Sequence, residues 1–424
     1  MVLNRFEYDS GFKERGKSMH ESPLVVQSMC PVRVNIIRRV FTAPVITGIS
    51  EAFVSIKHIC ASLLNPFNWT LPLAGILFSM LAVASQAGDE TQHEFLLFPS
   101  VEIYDNTGVD DELFDSAGYI GIADFMYSYS GNRLRFLGEY VLSTEENEVE
   151  RLMAGWLFGE QTMLWVGRFH QPSKYWTTEH HHGQYLQTSI SRPGIEEWED
   201  EGGAIPTHIT GLLFETGQIR KDSSGYQLAV SAGFAPVLTE SGLEPFEPWD
   251  PSSNHGAAYN FRLTFLPDYF DSNQFGILGG WSDIEIDSDN FASQIGTESV
   301  EELQLGVYFN WSWEQLRIIF KANYLENKYI RPDGDFTDDF WSGYIQAEYA
   351  IRSHWTVYGR HENSFGEEDT EFIRLIPKFV SHRNLFGVRW DIAMSHALTL
   401  EIADTETLTS DFGQYRLQWS TVFP

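Results

Sequence analysis

Residues 302–324 read ELQLGVYFNWSWEQLRIIFKANY, and apolar and polar residues alternate on both sides of a short break at 312–314. From Leu303 to Trp311 the apolar residues stand at odd positions, and from Leu316 to Tyr324 they stand at even positions. Because successive side chains of a strand point to opposite faces, each half has one apolar face and one mainly polar face. Two such segments joined by three residues predict a tight antiparallel hairpin.

The same period of two continues from residue 95 to the end of the chain and predicts about sixteen strands. We place them near 95–104, 118–129, 133–142, 149–158, 162–169, 206–216, 225–235, 257–266, 273–284, 300–311, 315–325, 340–351, 354–362, 382–392, 396–403 and 412–423. Their connections alternate between tight turns, such as 130–132 and 159–161, and mostly long loops at 105–117, 170–205, 236–256, 285–299, 326–339 and 363–381. A soluble β-sandwich has no reason to sort its loop lengths in this way.

Sorted loop lengths and an even strand number are typical of barrels that cross an outer membrane, with short turns on one side and longer loops on the other. Aromatic residues near the strand ends, among them Trp281, Trp341 and Trp390, match the aromatic girdles of such barrels. We therefore predict an all-β fold, a transmembrane antiparallel up-and-down β-barrel of about 16 strands (range 14–18) over residues 88–424, in the bacterial outer membrane.

Residues 1–87 are predicted to stand apart from the barrel. The run 71–84, LPLAGILFSMLAVA, is too short to span a bilayer, and small residues follow it up to Ala87. This pattern indicates a secretory signal with its apolar region and cleavage site in 71–87, preceded by an N-terminal extension. Both cysteines, Cys30 and Cys60, fall in this part, so residues 88–424 contain neither a disulfide nor a cysteine metal site.

The composition excludes several functions. The formal net charge of −31 excludes general affinity for nucleic acid, which requires a basic face. The sequence contains no G-x-S-x-G, no H-E-x-x-H and no glycine-rich phosphate loop, so we expect neither an enzyme nor a cofactor. Outer-membrane lipid is the expected surrounding, and lipopolysaccharide bridged by divalent cations is an expected partner of the acidic loops.

The stretch 170–205, HQPSKYWTTEHHHGQYLQTSISRPGIEEWEDEGGAI, is the longest part of the predicted barrel without strand alternation. It joins the fifth and sixth predicted strands. A loop of this length inside a regular fold is usually functional or disordered, and its aromatic and apolar residues argue against disorder. We predict that it folds inward into the mouth of the barrel.

This arrangement resembles the general bacterial porins, whose third long loop folds inward and constricts the channel. The resemblance implies passive diffusion of small hydrophilic solutes or ions, with an acidic side of the constriction at Glu196, Glu197, Glu199, Asp200 and Glu201. Its basic side would be the wall residues Arg135, Arg151, Arg168, Arg389 and Arg416. An alternative is that these arginines pair with neighbouring lumen acids and only brace the wall.

The final segment 414–424, QYRLQWSTVFP, resembles the C-terminal strand that outer-membrane proteins present to the barrel assembly machinery, although Phe423 is penultimate and Pro424 last. The resemblance implies this machinery as a partner, and a homotrimer is a candidate assembly.

The histidines of the loop support a second hypothesis. His180, His181 and His182 with Glu179, and also His170 and His208, are candidate ligands for Zn²⁺ or another transition metal. Adjacent residues of an extended backbone point to opposite faces, so three consecutive histidines do not easily bind one ion. Hydrogen bonding within the loop and pH-sensitive gating are alternative roles. The alternative function is a barrel plugged by its loops that acts as a binding or structural protein.

Overall fold

The computed structural model describes residues 91–424 except 110–113, 145–146, 181–182, 200, 241, 248–253 and 288–293. Within them, sixteen barrel strands follow one another along the chain: β1 (Gln92–Thr107), β2 (Ala117–Ser130), β3 (Leu134–Ser143), β4 (Asn147–Leu157), β5 (Thr162–His170), β6 (His208–Ile219), β7 (Gly225–Phe234), β10 (Ala257–Leu266), β11 (Gln274–Ile286), β12 (Ser299–Trp313), β13 (Leu316–Ile330), β14 (Phe336–Arg352), β15 (Trp355–Phe365), β16 (Val380–Ala393), β17 (His396–Thr407) and β18 (Asp411–Thr421). The predicted sixteen strands are confirmed. The predicted extension and signal segment lie outside the described residues.

The sheet closes on itself because β1 pairs with both β2 and β18, antiparallel in each case. Every other barrel strand pairs antiparallel with its neighbours in the chain, and β7 pairs with β10 across a small hairpin of β8 (Val237–Thr239) and β9 (Gly242–Glu244). Strand β8 also pairs in parallel with the end of β11. The predicted up-and-down antiparallel barrel is therefore confirmed.

The two faces of the wall have the polarity that the alternation predicts. In β17, Leu400 is 54% exposed and Ile402 is 45% exposed, whereas Glu401 between them is 1% exposed. At the end of the barrel that carries the short turns, Trp355 and Trp390 stack on the outer face with ring centroids 5.2 Å apart. An apolar outside with an aromatic end and polar groups inside is the arrangement of a barrel surrounded by lipid.

No helix among the described residues is long and apolar enough to cross a membrane.

One predicted loop is much shorter than expected. The sequence suggested a connection at 326–339, but β13 and β14 run on to Ile330 and back from Phe336. Three contacts support this end of the ladder: Tyr329 stacks on Phe336 at 4.2 Å, and the Lys328 ammonium lies 3.3 Å from Glu301 and 3.2 Å from Asp335. The polar residues that indicated a loop are thus paired across the strands.

The apolar core lies inside the barrel. The alternation, which puts polar groups on the inner face of the wall, did not predict this core. Three segments fold inward: residues 171–207, the β8–β9 hairpin, and residues 366–379. They contain the short helices α1 (Tyr175–His180) and α2 (Glu371–Arg374) and 3₁₀ turns at Gln184–Leu186, Gly194–Glu196 and Glu367–Asp369. Their apolar residues pack against inward-facing wall residues, and the cluster includes Tyr175, Trp176, Ile195, Leu238, Leu278, Ile319, Leu325, Phe340, Phe372 and Phe379.

Candidate functional site: the lumen insert

Residues 171–207, which we call the lumen insert, leave the wall after β5 and return to it at β6. Helix α1 begins the insert, and its Tyr175 and Trp176 are fully buried. Tyr175 stacks on Tyr308 of β12 at 4.3 Å, and Trp176 meets Tyr344 of β14 edge-on at 5.8 Å. The insert therefore crosses the lumen to the opposite wall, and the inward-folded loop between β5 and β6 is confirmed.

Wall carboxylates accept hydrogen bonds from the backbone of the insert. Glu401 accepts from the N–H groups of Ile190 at 3.0 Å and Ser191 at 3.1 Å, and Glu362 accepts from the N–H of Gly194 at 2.6 Å. Buried backbone donors need partners, and an irregular segment cannot supply them internally. These acids therefore determine where the insert can lie.

Arginines on the same part of the wall bind the carbonyl groups of the insert. Arg360 of β15 donates to the carbonyl oxygens of Ser191 at 2.9 Å and Arg192 at 2.7 Å. Arg383 of β16 donates to the same Arg192 carbonyl. Donors and acceptors of the backbone are thus both satisfied by charged groups, which form stronger hydrogen bonds than neutral ones.

The insert reaches the short-turn end of the barrel. Arg389 of β16 donates to the carbonyl oxygens of Tyr185 at 2.8 Å and Gln187 at 2.6 Å. The Tyr185 hydroxyl donates to the carbonyl of Met394 at 2.8 Å, in the turn between β16 and β17. Since the insert starts at the long-loop end, it spans much of the height of the lumen.

Two buried lysines connect the start of the insert with its second half. Lys321 of β13 forms an ion pair with Glu196, and both side chains are fully buried. Lys174, also fully buried, donates to the Thr207 hydroxyl at 2.6 Å and to the Glu197 carbonyl. Burial lowers the pKa of Lys174 to about 8, although the nearby carboxylates of Glu199 and Glu196 act in the opposite direction.

Of the predicted acidic side, Glu197 is within electrostatic range of several arginines. Burial raises the pKa of Glu197, while the positive charges of Arg383, Arg192 and Arg416 act to lower it. The side chain is half-buried. Arg416 is the predicted arginine among these three charges.

The other predicted acids are placed differently. Glu199 accepts hydrogen bonds from the backbone N–H groups of Thr207 at 2.5 Å and His208 at 2.8 Å, so it closes the return to β6. Glu201 is exposed, and Asp200 lies outside the described residues.

Most predicted arginines bind acids or backbone of the wall and loops. Their ion pairs are Arg151 with Glu139, Arg168 with Glu148 and Glu247, Arg389 with Asp391, and Arg416 with Glu102. Arg135 donates to the carbonyl of Leu134 at 3.1 Å and to that of Gly131, and so braces its own turn. Arg389 therefore pairs with an acid of the wall and also binds the backbone of the insert.

The predicted metal ligands of the loop do not lie together in one cluster. His180 packs on Trp176 at 4.6 Å, and Glu179 lies 3.6 Å from Arg262 and accepts from Gln274 at 2.9 Å. His181 and His182 lie outside the described residues. His170 and His208 lie instead at the base of the insert, where their ring centroids are 5.3 Å apart.

Comparisons with known proteins agree with this architecture. No family model and no curated protein matches the sequence. Solved structures match the fold, among them the outer membrane channel DcaP of Acinetobacter baumannii, with 9% identity and a TM-score of 0.51 over 80% of this chain and 100% of that chain. Salmonella typhi OmpF in complex with daunomycin matches with 12% identity and a TM-score of 0.51 over 78% of this chain and 97% of that chain. OmpTdeltaL8, a loop L8 deletion mutant of the outer membrane protein OmpT of Vibrio cholerae, matches with 10% identity and a TM-score of 0.50 over 79% of this chain and 100% of that chain.

The chain has the fold of an outer-membrane porin. At these identities the likeness concerns the fold alone, and the individual side chains of the lumen have to be read from this chain.

A cavity of ≈ 680 Å³ lies near the long-loop end of the barrel, between the 366–379 segment and the β17–β18 connection. Its lining includes the acids Glu367, Glu368 and Glu406 and the bases Arg374 and His382. His382 and Glu406 are cross-strand partners on the face of β16 and β17 opposite to the buried Arg383 and Thr405, so the cavity does not belong to the lumen.

Sequence reasoning missed the residues that hold the insert. Arg360, Glu362, Glu401 and Lys321 are polar residues of alternating strands, and the alternation gives no reason to prefer them over the other charged residues of those strands. Nothing in the sequence indicated a structural role for Lys174, because local patterns do not show that a lysine of an irregular segment is buried. Their roles depend on the path of the insert, which local patterns do not contain.

Proposed function

We propose that this protein is a porin-like channel of the bacterial outer membrane that passes small hydrophilic solutes or ions by passive diffusion. The observation that carries the proposal is the inverted polarity of the closed barrel: lipid-facing residues are apolar, and charged side chains line the interior. Several of these charged groups are partly exposed inside the barrel, including Arg416 at 26%, Asp391 at 25% and Arg317 at 23% of the side chain. Partial exposure of such groups supports a lumen that water can enter.

The route that we infer follows the ion pairs on the inner wall of β1, β3, β4 and β18. The apolar contacts of the insert lie against β11 to β14, where Tyr308 and Tyr344 are buried. The inner wall at β1, β3, β4 and β18 carries the ion pairs Arg151–Glu139 and Arg416–Glu102, beside a second apolar cluster that includes Leu137 and Met153. We infer that solutes pass along this charged side and that Glu197 of the insert, opposite the arginines, forms the constriction.

Single-channel recording in a planar bilayer tests the proposal. The refolded barrel is first shown to be folded by its heat-modifiable migration in gel electrophoresis. Sustained ohmic steps are expected, and the conductance should scale with salt concentration as for a water-filled pore. Silence of a folded barrel would contradict the channel function.

A second candidate is a plugged barrel that acts as a binding or structural protein. The observation that favours it is the extent to which the insert is buried, with fully buried Trp176 and Glu196 and hydrogen bonds to β14, β15, β16 and β17. The same recording distinguishes the two functions, since a plugged barrel would be folded and silent.

The proposal includes partners that follow from the membrane location. Lipid surrounds the barrel, lipopolysaccharide with divalent cations lies at the acidic loops, and the assembly machinery receives β18. A homotrimer is also proposed, and the solved OmpT of Vibrio cholerae in its trimer form, with a TM-score of 0.50 and 11% identity, supports it. Native gel electrophoresis and light scattering in detergent measure this assembly directly.

A further inference from the structure

The base of the lumen insert contains a compact group of buried side chains with metal-ligand chemistry. One carboxylate oxygen of Glu150 and one ring nitrogen each of His170 and His208 lie within 4.8 Å of one another. All three residues are buried. Two imidazoles and one carboxylate are a common ligand set for Zn²⁺ and related first-row metal ions.

Backbone features of β4, β5 and β6 bring the three residues together. His170 and His208 are direct partners in the last pair of the β5–β6 ladder. In β4 the ladder to β3 shifts its register, and the residue left without a cross-strand partner is Glu150. Such β-bulges redirect a side chain and occur often beside functional sites.

Gly167 lies at the point where β5 departs from a regular strand. Its φ is +134°, and a Cβ atom there would collide with the carbonyl of Leu152 on β4. Pairing between β4 and β5 ends one residue later, at Leu152 and Arg168. The strand ends that bear the two histidines therefore continue beyond the β4 ladder, next to the bulge.

Two carboxylates and an aromatic ring fix the orientation of the His208 imidazole. Its Nδ1 lies 3.2 Å from Glu199, while its Nε2 points to Glu150 at 2.7 Å. The ring of Trp198 stacks on His208 with a centroid distance of 5.6 Å and an angle of 10°. A carboxylate on the far nitrogen is the usual support of a metal-binding histidine, because it selects the tautomer that leaves the near nitrogen for the metal.

The surrounding charge is negative. Glu148 and Glu247 share one arginine, Arg168, and Glu150 and Glu199 lie on either side of His208. Besides His208 itself, four carboxylates thus lie near two cationic side chains, Arg168 and Lys174. A divalent cation would offset this excess, and the partly exposed carboxylates of Glu148 and Glu247 provide an approach from solvent.

We propose that Glu150, His170 and His208 bind one divalent transition-metal ion of the Zn²⁺ class. With metal–ligand bonds of about 2.0–2.1 Å, the ligand atoms of a tetrahedral site stand about 3.3 Å apart, so small side-chain rotations would close the present group around an ion. The fourth position would be open to water. Because His170 and His208 flank the two ends of the insert and Glu150 lies on β4, the ion would join both ends of the insert to the wall.

Equilibrium dialysis of the folded barrel against Zn²⁺, with the metal measured by mass spectrometry and the affinity by calorimetry, tests the site. One Zn²⁺ per chain is expected. His170→Asn and Glu150→Gln should each abolish stoichiometric binding, and Glu199→Gln should weaken it by about 10–100-fold. The matched control is His180→Asn, which removes a buried histidine of the insert away from the site and should leave the affinity unchanged.

A second control separates this site from the triple histidine. The double variant His181→Ala/His182→Ala should bind Zn²⁺ as the wild type does. Heat-modifiable migration shows that each variant is folded, so a loss of binding can be assigned to the ligands. Absence of stoichiometric binding by the folded wild type, or binding that persists in both His170→Asn and Glu150→Gln, would overturn the proposal.

Discussion

Lys321 on the barrel wall and Glu196 in the lumen insert form an ion pair in which both side chains are fully buried. Lys321 also donates to the carbonyl of Ser173 at 2.9 Å, so one ammonium group joins both halves of the insert to β13. A buried pair of this kind contributes little against an apolar replacement of both partners, but the loss of one partner leaves an uncompensated charge. The pair therefore specifies where the insert docks.

Removal of one partner of this pair should detach the insert. Lys321→Met is expected to lower the free energy of unfolding by about 3–5 kcal/mol, because Glu196 would remain buried without its counter-ion. Urea titration of the barrel in lipid vesicles measures the change. The double variant Lys321→Met/Glu196→Leu should recover most of the loss.

The exposed pair of Lys328 provides the control for this prediction. Its ammonium is 41% exposed beside Glu301 and Asp335, so Lys328→Met should change stability by less than about 1 kcal/mol. An equal loss of unfolding free energy in Lys328→Met and Lys321→Met would show that burial of the ion pair does not determine the loss.

Glu401 should keep the insert in position through hydrogen bonds to its backbone. Glu401→Leu removes the acceptor of two N–H groups, of the Ser191 hydroxyl and of the Tyr358 hydroxyl. Unsatisfied buried donors cost about 1–3 kcal/mol each, so the insert should leave its position in part of the molecules. Faster proteolysis within 183–199 and noisier, larger conductance are expected.

The matched variant for Glu401 is Glu406→Leu, an exposed acid of the same strand near its long-loop end. It should leave both proteolysis and conductance at the wild-type values. If the two variants behave alike, the hydrogen bonds of Glu401 do not hold the insert.

These contacts show which parts of the structure the sequence could predict. Strand number, sidedness and the inward loop follow from local alternation and from connection lengths. The partners of the insert do not, since Glu401 and Ile190 are 211 positions apart in the chain. Which lumen charge meets which backbone group depends on the three-dimensional path of an irregular segment. The bulge at Glu150 was missed for a related reason: a register shift between strands has no signature in a period of two.

The stability of the insert should depend on pH through Lys174. Its pKa is about 8 in the folded protein and about 10.5 when unfolded, so between these values the unfolded chain binds more protons. Stability therefore rises as the pH increases from about 8 to 10.5, by about 3 kcal/mol from this group, and is constant below that window. The difference in unfolding free energy between the wild type and Lys174→Met should show this rise.

An exposed lysine should lack this effect. Lys221→Met, in the turn between β6 and β7, gives the reference. A difference curve for Lys174→Met that stays flat from pH 8 to 10.5 would contradict the assignment of a buried, easily deprotonated lysine.

A charge on the outer wall should be costly only at the centre of the membrane. Leu400→Arg, near the middle of β17 on the lipid-facing side, is expected to lower stability by about 2–4 kcal/mol in lipid vesicles. Phe158→Arg, next to a short turn, should cost about 0–1 kcal/mol because its side chain reaches the interface. Equal costs at the two positions would argue against the proposed position of the barrel in the bilayer.

Glu197 should set the ion preference of the proposed channel. It lies within electrostatic range of Arg383, Arg192 and Arg416, so Glu197→Gln leaves the arginines less compensated and should favour anions. A unit charge about 8 Å from a permeating ion in water changes its energy by about 0.5 kcal/mol. Opposite effects on cations and anions then lower the cation-to-anion permeability ratio roughly fivefold, measured as a shift of the reversal potential in a salt gradient. Glu160→Gln removes the same charge at an exposed short turn and should shift the reversal potential far less. An unchanged reversal potential for Glu197→Gln, with normal conductance, would place the constriction elsewhere in the lumen.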